Sequence, residues 1–166
     1  MDKEREYTHV EHMIDPVYDK NSKILILGSF PSVKSRQQVF FYGHPQNRFW
    51  KVIAGVMGCS VPESIDEKKE MLLSHYVAVW DVIESCDIIG SSDSSIKAVK
   101  VNDFNRILDS ADISKIYANG GKAYELYMKY AIEKTGRDII KLPSTSPANA
   151  AWNLERLIDA WSIIRS

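Results

Sequence analysis

Between Phe41 and Val52 the chain reads FYGHPQNRFWKV, its densest grouping of side chains able to do chemistry. Asn47 brings an amide that both donates and accepts, and Arg48 a permanent charge. His44 brings an imidazole that titrates near neutral pH, and the aromatics bring flat apolar faces. Such a set suits a flat, hydrogen-bonding ligand such as a nucleobase. The plainer reading is an ordinary βα loop whose aromatics pack onto the core, with Asn47 capping the helix that begins at Phe49. On these residues alone both readings stay open.

Two further stretches could share a site with it. GSFPS, at Gly28–Ser32, offers a small residue for close backbone approach and Phe30 for stacking, although Phe30 could equally be core. It is not a P-loop, since Gly-x4-Gly-Lys-Ser/Thr is missing. Nor is it a nucleophile elbow, since Ser29 lacks the Gly-x-Ser-x-Gly frame. PSTSPAN, at Pro143–Asn149, lines up the hydroxyls of Ser144, Thr145 and Ser146 before a helix, where free amides attract anions. A Ser/Thr-rich loop in that place is often only a cap. Three hydroxylated residues braced by two prolines exceed that need and favour phosphate binding.

The remaining titratable groups point less clearly. His9, His12 and His75 read as structural hydrogen-bonders; an Asp beside a strand end could be catalytic, but Asp81 and Asp103 read first as turn or surface acids. No His/Cys/Asp/Glu cluster has metal-ligand spacing, and the two cysteines, Cys59 and Cys86, cannot build a Cys-rich zinc or iron–sulfur site.

These loops need strands to hold them. Ile24–Leu27 is a continuous apolar run, the pattern of a strand buried on both faces. Tyr76–Ile83, Lys115–Ala118 and Asp138–Leu142 are predicted as further strands. Helices are predicted over Phe49–Met57, Pro62–Ser74, Val101–Leu108 with Asn102 as N-cap, Tyr124–Ile132, and Ala150–Ile164. Ser91–Ser95 reads as a loop, and Met1–Ser22 as a polar segment wrapping the surface, with a turn at Asp15-Pro16. Alternating strands and helices imply a parallel sheet covered on both sides. Right-handed crossovers then bring the strand C-termini to one edge, where GSFPS and PSTSPAN can meet.

A chain of 166 residues supports one domain with a real core. The formal net charge of −1 provides no global field for polyanions, so any nucleic-acid contact must be local. That argues against a passive DNA-coating protein and leaves an enzyme with a small footprint open. The charged start of the chain, MDKEREYTHVEH, has no apolar signal-peptide core, and no apolar run reaches membrane-spanning length. With no sign of secretion, the expectation is a reduced, intracellular (cytoplasmic) protein.

Taken together, the chain resembles members of the uracil-DNA glycosylase superfamily, and within it the hypoxanthine-DNA (DNA-deoxyinosine) glycosylase branch. ILILGSFPS resembles the superfamily's first motif, a strand followed by a Gly-x-x-Pro turn. HPQNRFWKVI resembles the segment that follows it in mismatch-specific uracil/thymine glycosylases, and LPSTSPANA is similar to the second motif, a Pro-Ser loop that approaches DNA. The likeness runs from about Ile24 to the end of the chain. Mismatch-specific enzymes carry an asparagine inside the first motif, where this chain has Phe30. Several relatives open the second motif with a histidine, where this chain reads Leu142-Pro143-Ser144. The second departure turns the expectation from uracil toward a purine-type base.

The resemblance implies a three-layer α/β/α sandwich with a central, mainly parallel four-stranded sheet. It also implies one glycosylase-like domain over residues 1–166, with 1–22 an extension packed on it. The activity implied is monofunctional hydrolysis of the N-glycosidic bond of a flipped, deaminated base, hypoxanthine first, within base excision repair. Asn47 resembles the asparagine that supplies the catalytic amide in the hypoxanthine branch. Gly28, Ser29, Phe30 and His44 would surround the base, and Ser32, Ser144, Thr145, Ser146 and Asn149 would contact DNA. The partner implied is double-stranded DNA bound by a monomer, with no metal or organic cofactor and no membrane. Competing readings are a uracil- or mismatch-directed glycosylase, a non-catalytic nucleotide- or nucleic-acid-binding module on the same scaffold, and a small-molecule hydrolase using Ser29 or His44.

Overall fold

The computed structural model describes residues 6–165. In chain order its elements are β1 (Thr8–Glu11), β2 (Ile24–Gly28), α1 (Val33–Gln38), α2 (Phe49–Met57), α3 (Ile65–Ser74), β3 (Val77–Asp81), β4 (Ile83–Ile88), β5 (Lys97–Val101), α4 (Asn105–Leu108), β6 (Lys115–Asn119), α5 (Gly121–Tyr130), α6 (Ile132–Thr135), β7 (Ile139–Leu142) and α7 (Leu154–Trp161). Short 3-10 turns cover Asp93–Ser95 and Ser162–Arg165.

Four strands, in the order β3-β2-β6-β7, form a parallel sheet. β2 and β3 are buried along their whole length, which their unbroken apolar runs require. The chain leaves β2 in one direction to reach β3, and leaves β6 in the other to reach β7. With right-handed crossovers, α1–α3 therefore cover one face and α5 the other. α7 packs on α2, where Phe49 meets Trp161 edge to face with ring centroids 6.0 Å apart. The result is the three-layer α/β/α sandwich around a four-stranded sheet that the sequence suggests. Its topological switch lies between β2 and β6, the place where open α/β sheets hold ligands.

The structure departs from the sequence reading in the middle of the chain. Tyr76–Ile83 is not one strand. β3 ends at Asp81, and the backbone N–H of Val82 and of Ile83 turn to the carbonyls of Gly28 and Ser29. β4 then starts a separate antiparallel sheet, ordered β1-β4-β5. Apolar content is the same on both sides of that corner, so composition could not reveal it. Val101–Leu108 is a strand end followed by a four-residue helix. Asn102 is not its N-cap; it is buried and donates to the carbonyls of Asp81 and Ile83, bracing the corner. The described part of the N-terminal segment is more than a surface wrap. β1 pairs with β4, and Ile14 and Val17 enter the core. The last helix begins at Leu154, capped by the Asn153 side chain, and not at Ala150.

Candidate active site

At the C-terminal edge of the parallel sheet, the end of β3 and the loops after β2, β4, β6 and β7 enclose a cavity of about 320 Å³, within the size range of small-ligand sites. Its walls include Gly28, Ser29, Phe30, Ser32, His44, Asn47, Ser144, Thr145 and Ser146, so residues over a hundred positions apart in sequence meet there.

Asn47 sits half-buried before α2. Its Oδ1 accepts from the Phe49 backbone N–H at 2.9 Å and from the Thr145 hydroxyl at 2.8 Å. The Phe49 N–H can only donate, so Oδ1 is the atom facing it and Nδ2 is the atom left over. Nδ2 has no partner among the described residues. The capping and functional readings of Asn47 are thus both satisfied, one by each end of the amide. Thr145 is fixed in turn by Asn119 at the end of β6. Asn119 donates to Thr145 Oγ1 at 3.0 Å and accepts from the Thr145 N–H at 3.0 Å. This chain of bonds pins the amide in one orientation from three separate elements.

The floor carries a buried acid that the sequence reading set aside. Asp81, at the end of β3, is 3 % exposed, and its Oδ2 lies 2.8 Å from Nε2 of buried His12. His12 Nδ1 accepts the Ile14 N–H, so Nε2 carries the proton and donates to the carboxylate. Asp81 Oδ1 has no hydrogen bond among the described residues. It lies where a Gly28 Cβ would sit, 2.4 Å from that position, so only glycine fits at the end of β2. Tyr42 Oη comes within 3.0 Å of the same position and is buried without a hydrogen bond of ordinary geometry. Burial raises the Tyr42 pKa strongly; the Asp81 charge raises it further, and the nearby Asn119 amide opposes both. The phenol is neutral.

The other expected residues take varied parts. Phe30 lines the cavity while packing edge-on to His12, with ring centroids 6.1 Å apart, and beneath Arg36. His44 lines the cavity with Nδ1 accepting from the Gln46 N–H, which leaves Nε2 as the donor. The Ser29 hydroxyl donates to Asp93 Oδ1 at 3.0 Å, and Ser32 caps α1 through the Ser35 N–H. In the second loop the structure corrects two expectations. Thr145 is fully buried and offers nothing to a phosphate. The loop does not run directly into a helix, because α7 starts later with its own cap. Ser144 and Ser146 accept from the N–H of Ser146 and Ala148, and the Asn149 amide donates to the Ser144 carbonyl.

Arg48, read in the sequence as part of a ligand-binding set, instead joins the two loops. Its guanidinium donates to the carbonyls of Thr145, Ser146, Asn149 and Trp152, so the PSTSPAN loop is wrapped around it. Asp81 is legible as a polar residue closing an apolar strand, but the turn or surface role expected for it gives way to a buried place on the cavity floor. His12, Asn119 and Asp93 carry no local signal, because only the fold brings them to the cavity.

The model of the family described as the uracil DNA glycosylase superfamily matches residues 16–165. This chain belongs to the uracil DNA glycosylase superfamily. Among relatives, a protein of Methanosarcina acetivorans named hypoxanthine DNA glycosylase is 34% identical over 84% of this chain and 89% of its own length. A protein of the same name from Methanosarcina barkeri is 32% identical over 81% of this chain and 85% of its own. The solution NMR structure of a candidate uracil DNA glycosylase from M. acetivorans superposes with a TM-score of 0.80 at 30% identity. It covers 95% of this chain and 98% of that one. In this superfamily member the fold and the meeting of first and second motifs are therefore those the resemblance implied. Its free amide donor and buried carboxylate share one cavity.

Proposed function

We propose that the chain is a monofunctional DNA glycosylase that draws a deaminated base, hypoxanthine foremost, out of duplex DNA and hydrolyses its N-glycosidic bond. The observation that carries the reading is a donor and an acceptor in one cavity: Asn47 Nδ2 and Asp81 Oδ1, each held by its other atom and neither paired among the described residues. Hypoxanthine offers the complement, a carbonyl O6 beside an N1–H. Adenine presents the reverse pattern, an amino group beside a bare ring nitrogen, and would oppose donor to donor and acceptor to lone pair. The pair therefore separates hypoxanthine from the adenine it derives from.

The base reaches this cavity only after flipping, since the glycosidic carbon is inaccessible in the stack. Phe30 forms part of its apolar surround. As the bond breaks, charge grows on the departing base, and the Asn47 N–H, aimed before reaction, stabilises it at O6. A neutral His12 holds Asp81 in register and adds no cation that would compete for the carboxylate. The outward Ser146 hydroxyl and the backbone of the second loop suit contacts to flanking phosphates, made by the protein as a monomer.

Incubation with duplexes containing deoxyinosine, deoxyxanthosine, deoxyuridine or mismatched bases, followed by alkali, tests the reading. Strand scission is expected at inosine, with none at adenine. Uracil shows the same carbonyl/N–H edge, so scission confined to uracil or to mismatches would replace hypoxanthine as the substrate, and binding without scission would make the chain a nucleic-acid-binding module. Among the described residues no lysine walls the cavity, which supports water as the nucleophile; borohydride should trap no enzyme–DNA adduct, and Lys122 and Lys141 beside the groove are the lysines whose loss would abolish one.

A further inference from the structure

The site as described lacks an acceptor for the attacking water. Asn47 cannot supply it, because an amide is not a base and its Oδ1 already takes two hydrogen bonds. Asp81 lies at the floor, turned to the base edge.

The position of the sugar follows from the shape of the cavity. The cavity adjoins a shallower groove whose walls include Gly121, Lys141, Pro143, Asn149 and Trp152. Asp93, Ser144, Ser146 and Ala148 line both. A nucleotide flipped from a duplex over that groove keeps its backbone outside and its base inside, so C1′ must cross this shared rim. Asp93 is the ionisable side chain of the rim.

Asp93 is also held there. The Arg36 guanidinium grips the Gly90 carbonyl at 2.6 Å, and the Val33 N–H donates to Ser91 Oγ at 2.8 Å. These bonds tie the Ser91–Ser95 segment to α1. The carboxylate caps no backbone amide; its hydrogen-bond partner is the Ser29 hydroxyl of the GSFPS turn. A structural acid would be poorly placed at an opening that must face phosphates, where like charges repel.

We infer that Asp93 is a catalytic residue that accepts a proton from the water attacking C1′ and faces its charge to the cationic sugar. The water oxygen bonds to C1′ as the C1′–N9 bond breaks, and the electron pair leaves with the base. The water's proton passes to Asp93 and on to solvent, to which the residue is exposed at the rim; the base takes a proton from solvent. Burial raises the carboxyl's pKa, the Ser29 hydrogen bond and the Lys122 charge oppose that, and Asp81 adds to it. The direction of the shift suits a base, while its solvent exposure leaves the placement at the rim as the ground for the assignment. The inference rests on the glycosylase reading above.

The test is single-turnover excision from a deoxyinosine duplex by wild type, Asp93→Asn and Asp93→Glu, beside binding to a duplex carrying a non-hydrolysable 2′-fluorinated deoxyinosine. Asn keeps an acceptor for Ser29 and loses the base. Its rate should fall by roughly 10² or more, the usual worth of a general base. Binding should stay equal or tighten as a negative charge leaves the mouth. Wild type should lose activity on acidification through the carboxyl's pKa, Asn should lack that limb, and Glu should recover part of the rate. An active wild type with Asp93→Asn within threefold of it, or an Asn variant whose rate loss merely tracks lost binding, overturns the inference while the substrate reading stands. A wild type inactive on hypoxanthine, xanthine and uracil overturns both.

Discussion

In the loop between α1 and α2, Asn47 spends one end of its amide on the protein and turns the other to the cavity, while Tyr42 keeps an unpaired hydroxyl nearby. In the loop after β7, Ser144, Thr145 and Asn149 bond within the protein, and the carbonyls of Thr145, Ser146 and Asn149 close on Arg48. Both loops are rich in polar residues and braced by proline. The first presents chemistry; the second is a rigid wall whose main service is to orient the first through Thr145. Polar content thus marks where bonds are made, and the unpaired atom marks where a ligand is met.

The contrast can be broken most sharply at Asn47. Asn47→Asp keeps an oxygen for Phe49 and Thr145, removes the donor and adds a negative charge beside the departing base. Single-turnover excision should fall by about 10²–10³, equivalent to roughly 2.7–4 kcal/mol of transition-state stabilisation. The melting temperature should stay near wild type. A variant that melts early yet keeps its rate per folded molecule would reduce Asn47 to a cap.

Arg48→Met should do the reverse. Several carbonyls of the second loop lose a charged donor, and denaturant unfolding should show a loss of roughly 3 kcal/mol. Excision by the folded fraction should drop less than in Asn47→Asp. Equal stability to wild type would show that Arg48 does not hold the wall together.

Phe30→Leu keeps apolar bulk and removes the π-face. If the ring stacks on the flipped base, excision should weaken by ~1–3 kcal/mol, the worth of base–aromatic stacking in single-strand binders. If Phe30 serves only the packing with His12 and Arg36, activity should follow stability.

Ser146→Ala should have the smallest effect, below about 1 kcal/mol, since its oxygen serves a local turn at Ala148. Electrophoretic binding assays should show the same slight weakening for normal and inosine duplexes, because phosphate contacts position without reading the base. A loss confined to the damaged duplex would move Ser146 from the wall into the base site.

Much of the fold was legible. Ile24–Leu27, the Phe49–Met57 helix and its stop at Gly58 follow from local pattern, because burial on both faces and an αL cap write themselves into neighbouring residues. The corner at Val82 was not legible, since valines and isoleucines on either side serve parallel and antiparallel pairing alike. The helix start at Leu154 carries a local mark in its N-cap Asn153, but the turn before it, held by Arg48 about a hundred residues away in the chain, does not.

The sequence by itself determined that there are four parallel strands, that Asn47 stands just before the Phe49 helix, and that GSFPS and PSTSPAN can share one edge. Those are consequences of periodicity, turn chemistry and crossover handedness; the helix α1 that separates Asn47 from β2 was not foreseen. Only the tertiary structure decided which atoms remain free there. Thr145 faces inward because Asn119 and Asn47 bind it, Asp81 is a cavity acid because β1's trailing segment delivers His12 to it, and Asp93 reaches the rim through the second sheet. A hydrogen bond between residues far apart in sequence leaves no local trace, so the division between wall and chemistry exists only in the folded chain.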